Sequence, residues 1–103
     1  MGMERAVQFA EPGPPWSAVR EHLAAAGFAV QMRMIDNMPA FPDEEPALDW
    51  NELRVSLGEG MITVRRESGR VRLIVWGNAD EALRRDQEKL AEAWMTAGGG
   101  VVT

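Results

Sequence analysis

Between Leu53 and Val75 the chain alternates apolar and polar residues in three short runs, LRVSL, ITVRR and RVRLIV. Alternation of period two puts successive side chains on opposite faces of a β-strand, so the stretch predicts a three-strand meander. The register follows from the turns. Gly58-Glu59 as a two-residue turn with glycine at its first central position pairs Leu57 with Gly60, Val55 with Ile62 and Leu53 with Val64. Ser68-Gly69 as the next turn pairs Val64 with Leu73 and Ile62 with Val75. Both turns place Leu53, Val55, Leu57, Ile62, Val64, Val71, Leu73 and Val75 on one face. A three-residue first loop would pair Ser56 with Ile62 and mix the faces, because a one-residue slip moves every side chain across the sheet.

The flanking segments predict the remaining elements. Residues 5–9, RAVQF, alternate as a strand that Pro12, Pro14 and Pro15 bring to an end. PPWSAVREHLAAAG then reads as a helix. Proline at the first turn costs little there, Trp16, Val19, Leu23 and Ala26 form an apolar stripe, and Gly27 stops the helix. FAVQMRMI (28–35) predicts a strand with Phe28, Val30, Met32 and Met34 on one face and Ala29, Gln31, Arg33 and Ile35 on the other. Residues 36–50 contain three prolines and no period, and predict a long loop. From residue 78 a second helix is expected, capped by Asn78 or Asp80, with Leu83, Leu90 and Trp94 buried. Glu81–Arg85 and Arg84–Glu88 are spaced to pair on its solvated side. Gly98-Gly99-Gly100 ends that helix, and 98–103 is expected to trail as a flexible tail.

The expectation is one α+β domain over 1–103, in the order β-α-β-β-β-β-α, with a mostly antiparallel five-stranded sheet and two helices on one face. This element order resembles a single repeat of the TATA-box-binding-protein fold. The resemblance is topological, covers residues 5–97 and implies no function.

The same register fixes the other face of the sheet. Ser56, Met61 and Trp76 fall side by side, then Arg54, Thr63 and Ile74, then Glu52, Arg65 and Arg72. Gln31, Arg33 and Ile35 extend it. One end is apolar and the other rich in arginine. A solvated face, or one covered by the 36–50 loop through Met38, Phe41 or Trp50, is the plain reading. The functional reading is a protein-contact surface, since Trp, Met and Arg are enriched at interface cores. Met61, Ile74 and Trp76 would supply buried area, and Arg54, Arg65 and Arg72 orientation and charge complementarity. A second copy of the chain is the simplest partner.

Charge narrows the choice. The 103 residues carry a net charge of −5, which argues against a general nucleic-acid binder. Residues 36–49 hold five acids and no base, whereas 50–77 hold five arginines against three glutamates. The acidic loop could fold toward the arginine-bearing face as a counter-charge. A nucleic-acid-binding sheet, by analogy with the fold, is the alternative, although a single tryptophan is few for a base-stacking platform. A small chaperone-like protein, similar in size and charge to secretion chaperones, is another. Those proteins carry a helix where this chain has only the Ser68-Gly69 turn.

Candidate chemistry is sparse. There is no cysteine, which excludes disulfide and thiolate chemistry. His22 is the single histidine and has no companion for a zinc site. Ser17, Ser56 and Ser68 lie in no nucleophile-elbow sequence, and GEG and GGG are turn and terminus glycines. Asp43, Glu44, Glu45 and Asp49 lack the alternating spacing of a calcium loop. No apolar run is long enough to span a bilayer and no signal-peptide core is present. The expectation is a cytoplasmic, non-catalytic binding module with no cofactor and no metal.

Overall fold

A computed structural model describes residues 3–10, 13–58, 60–76 and 80–103. Its elements are β1 (Met3–Gln8), α1 (Trp16–Ala25), β2 (Gln31–Ile35), β3 (Met38–Pro39), β4 (Glu52–Ser56), β5 (Ile62–Glu67), β6 (Arg70–Val75), α2 (Glu81–Gly98) and β7 (Val101–Val102). The strands form one antiparallel sheet in the order β3-β2-β4-β5-β6-β1-β7. The class is α+β with two helices, as the pattern predicts. The sheet has seven strands instead of five, because a two-residue strand is added at each edge.

The meander has the register that the apolar face selects. Val55 pairs with Ile62 and Leu53 with Val64. Val64 pairs with Leu73, and Glu67 with Arg70 across the Ser68-Gly69 turn. Gly69 takes a φ of +73°, a region that glycine enters without a Cβ clash. Glu59 of the first expected turn lies outside the described residues. Leu53, Val55, Ile62, Val64, Val71, Leu73 and Val75 are buried in one core cluster with Trp16, Val19 and Leu23 of α1 and Leu90 and Trp94 of α2. Leu57 is half-buried at its margin.

The helix ends have identifiable causes. Past the end of α1, Gly27 has φ +91°, Gly27 N–H donates to Ala24 O at 3.0 Å and Phe28 N–H to Leu23 O at 2.8 Å. That pair of bonds satisfies two carbonyls of the last turn. Ala26, expected in the buried stripe, is exposed because it is the C-cap. At α2 the Asp80 carboxylate accepts from Leu83 N–H at 2.8 Å and caps the helix; Asn78, the other candidate, lies outside the described residues. Glu81 and Arg85 pair at 3.5 Å, but Glu88 turns to Arg5 of β1 instead of Arg84.

Three expectations change. First, β2 does not keep one face. A bulge between Met32 and Met34 shifts the register, so Met32 pairs with Val55, Met34 with Arg54 and Ile35 with Leu53. The extra residue sends Met34 to the outer face and Ile35 to the core. Second, 98–103 is not simply a tail. Val7 pairs with Val102 and Gln8 with Val101, and Thr103 N–H donates to Ala6 O at 2.7 Å. Third, the segment after β2 turns back at once. Asp36 (φ +47°) and Asn37 (φ +67°) form a two-residue turn that pairs Ile35 with Met38. Positive φ at both central positions is what a type I′ hairpin needs, and Asp and Asn tolerate it.

Asp36 also fixes the far end of the loop. Its Oδ1 accepts from the N–H of Asn51 at 2.8 Å and of Glu52 at 2.9 Å. These backbone bonds, that to Glu52 first, hold the carboxyl below its ordinary value of 3.8. A depressed folded-state pKa contributes stability above the unfolded value and loses it as pH falls through the folded one. Stability should therefore decline as pH drops below about 3.8, and less steeply in Asp36→Asn, which does not titrate. Urea unfolding of both proteins against pH checks this, together with the Asp36 carboxyl shift titration. A titration midpoint at or above the ordinary value would contradict it.

Candidate interaction surface

The outer face of the sheet is built from the alternate residues of the same strands. Across it run Glu4, Ile74, Thr63, Arg54 and Met34 in one row and Ala6, Arg72, Arg65 and Glu52 in the next. Gln8, Arg70 and Glu67 follow. Arg65 stands directly opposite Arg72, an arrangement that repels unless charge is supplied nearby. Glutamates of the sheet supply it. Arg65 meets Glu52 at 3.3 Å, and Arg54 meets the same carboxylate at 3.5 Å. Arg72 bonds Glu4 at 2.6 Å and Glu67 at 3.1 Å, and Arg70 bonds Glu67 at 2.6 Å. Hydrogen bonds donated by Arg70 and Arg72 lower the Glu67 pKa, and those that Arg72 donates to Glu4 and Glu67 raise its own.

The face is therefore a lattice of alternating charge, in which three strand glutamates hold four arginines and Arg33 donates to Ser56 Oγ at 3.3 Å. The acidic loop does not take that role. Asp43 O accepts from Arg20 of α1 at 3.2 Å, and Glu45 lies 3.6 Å from the same guanidinium. Pro42 O accepts from Met32 N–H at 2.9 Å, which holds the loop along the edge of β2. Nor does the loop cover the face. Trp50 enters the core on the helix side, and Met38 and Phe41 stay exposed. Among the described residues no three His, Asp or Glu side chains converge as metal ligands.

The expected apolar trio divides. Trp76 is 57% exposed and Met61 46%, whereas Ile74 is 3% exposed. Arg72 and Trp76 flank Ile74 along its strand, and Glu4 and Thr63 oppose it across the sheet. Long neighbouring side chains lie over such a residue and bury it within the single chain. Ile74 thus underlies the surface and offers it little area. Extending the β5–β6 register past the Thr63–Ile74 pair brings Met61 opposite Trp76. Of the arginines, Arg54, Arg65 and Arg72 are all present on the face and all engaged. Met34, brought there by the bulge, contacts Arg54 through its sulfur at 3.8 Å.

One residue of interest falls outside the sequence pattern. Arg66 shares the core-facing parity of Ile62 and Val64, and its guanidinium sits 4.6 Å over the ring of Trp50. A charged residue at a core-facing strand position is the signal the sequence offers for it.

Comparison with known proteins gives no matching family model, no matching curated protein and no matching solved structure. No described helix is long and apolar enough to cross a membrane.

Proposed function

We propose that the chain is a small cytoplasmic, non-catalytic binding module whose outer sheet face engages another protein, in the simplest case a second copy of itself. The observation that carries this reading is the exposure of Trp76 and Met61 on a face that the 36–50 loop leaves open. Exposed Trp and Met next to ordered arginines are the composition of an interface centre. The edges of the sheet are poor alternatives. Both end in strands of two residues, and β3 contains Pro39, which cannot donate to a neighbour.

Size constrains the character of the contact. A stable interface takes about 800 Å² from each partner. Trp76 and Met61 cannot provide that, so most of the area would come from the charge lattice. Such an interface is polar and salt-sensitive, and its arginines steer the approach. The nucleic-acid alternative is weaker, because a phosphate would first have to displace Glu4, Glu52 or Glu67 from the arginines that hold them. Setting the two-residue strands aside, the chain runs strand, helix, four strands, helix, which supports the TATA-box-binding-protein-like reading of the topology.

Light scattering over a concentration series tests the proposal. The wild type should reach twice the chain mass, and Trp76→Arg should stay at one. The substitution should change folding stability by no more than about 0.5 kcal/mol, since the side chain is largely in solvent. A wild type that stays monomeric throughout removes self-association.

A further inference from the structure

The end of the molecule where β5 turns into β6 carries a cleft of about 640 Å³, open on the helix-covered side of the sheet. It lies between the β5–β6 hairpin and the segment joining β1 to α1. Phe9, Pro14, Val71 and Trp94 give it apolar walls, and Arg66 stands at its margin. A smaller groove of about 410 Å³ adjoins it, sharing Pro14 and Arg66 and reaching Trp50. The volume is that of a small-molecule site, and Asn51, Glu67, Ser68 and Arg70 make the rest of its wall polar.

One residue gives the site a chemistry. Arg66 makes no ion pair within 4 Å among the described residues, unlike Arg54, Arg65, Arg70 and Arg72, although its charge acts on Asp36 from farther off. Its guanidinium carbon lies 4.6 Å from the centroid of the Trp50 ring, a cation–π contact that orders the group. Glu67, also in the wall, is already committed to Arg70 and Arg72.

We propose that this cleft binds a small organic anion, an aromatic or aliphatic carboxylate, with its apolar body against Phe9, Val71 and Trp94 and its charged group on Arg66. Glu67 and Arg70 of the outer face also line the cleft, so the two surfaces meet at the β5–β6 turn, whereas Trp76 lies past the opposite end of β6.

The test uses the full chain and two probes of one shape, 2-naphthoate and the neutral 2-naphthamide. The four tryptophans are separate reporters in an ¹⁵N correlation spectrum, since each indole N–H gives its own signal. Naphthoate should move the Trp94 and Trp50 indole signals and leave Trp76 in place. It should bind at least about tenfold more tightly than the amide, as a charge-assisted bond to guanidinium implies. Arg66→Gln should remove that preference while still binding the amide. Equal affinity for acid and amide overturns the anion assignment without recourse to any variant. Shifts centred on Trp76, or no shifts at millimolar probe, overturn the site itself.

Discussion

Trp94→Ala will destabilise the protein by about 3–5 kcal/mol, the range for removing a buried tryptophan. Trp94 is 1% exposed and sits where both helices, the sheet and the segment before β4 meet. Its ring centroid is 6.4 Å from that of Phe9 and 6.1 Å from those of Trp16 and Trp50, all tilted. Tilted aromatic pairs add about 0.5–1.5 kcal/mol each beyond buried area. Three rings from three separate segments cannot all move into the vacated volume, so a cavity persists. Against a total of about 5–15 kcal/mol for a domain, the loss is a large share. Urea unfolding followed by circular dichroism measures it. Trp94→Phe should cost distinctly less, because it keeps an aromatic partner for the other three and removes the unpartnered N–H. Equal losses for the two variants would mean that the ring contacts are not what the core depends on.

Gly98→Ala will lower stability by about 2 kcal/mol, the scale of overpacking, although the same change inside a helix normally raises it by about 0.5–1 kcal/mol. Gly98 is the last residue of α2, and a Cβ there would lie 2.4 Å from Pro14 Cδ and 2.6 Å from Phe9 Cε1. Both are ring atoms with little freedom to retreat. The helix end must lift from the β1–α1 segment or the segment must shift. Gly99→Ala isolates the other glycine effect. Gly99 has φ +66° and no atom within 4 Å of where a methyl would sit, so its cost is backbone strain alone, about 1 kcal/mol. Thermal unfolding resolves the two, since 1 kcal/mol moves the midpoint by about 4–8 °C in a domain of this size. A Gly98→Ala protein as stable as the wild type would show that the contact relaxes freely.

The glycine triplet illustrates what the sequence hides. As letters, GGG reads as a helix stop. In the fold only Gly99 has the left-handed backbone, while Gly98 and Gly100 admit the close approach of Phe9. The meander is legible because one register alone gathers eight aliphatic residues on one face. The β2 bulge is not, because Met32, Met34 and Ile35 are all apolar and a face switch leaves no trace in their pattern. The edge strands give no signal for lack of length, as two residues show no period. Trp50 reads as part of a proline-rich acidic loop, and only tertiary packing shows it buried. On the outer face, the membership of Trp76, Met61 and the arginines follows from parity. Which carboxylates hold the arginines does not, because Glu4 reaches Arg72 from the other end of the chain.

The position of β1 bears on how the chain acquires its structure. Val7 is paired on one side with Val71 and on the other with Val102. The strand nearest the start of the sequence thus has its partners in the last third. Pairings so distant in sequence require a large loop closure before any bond rewards it, and they slow folding relative to local hairpins. The β4–β5–β6 meander and the two helices need only nearby residues and can form first. Insertion of β1 between β6 and β7 then becomes the late, slow event. Until it occurs the edge of β6 and the apolar side of β1 are both open, and this interval is when the chain is most prone to associate wrongly.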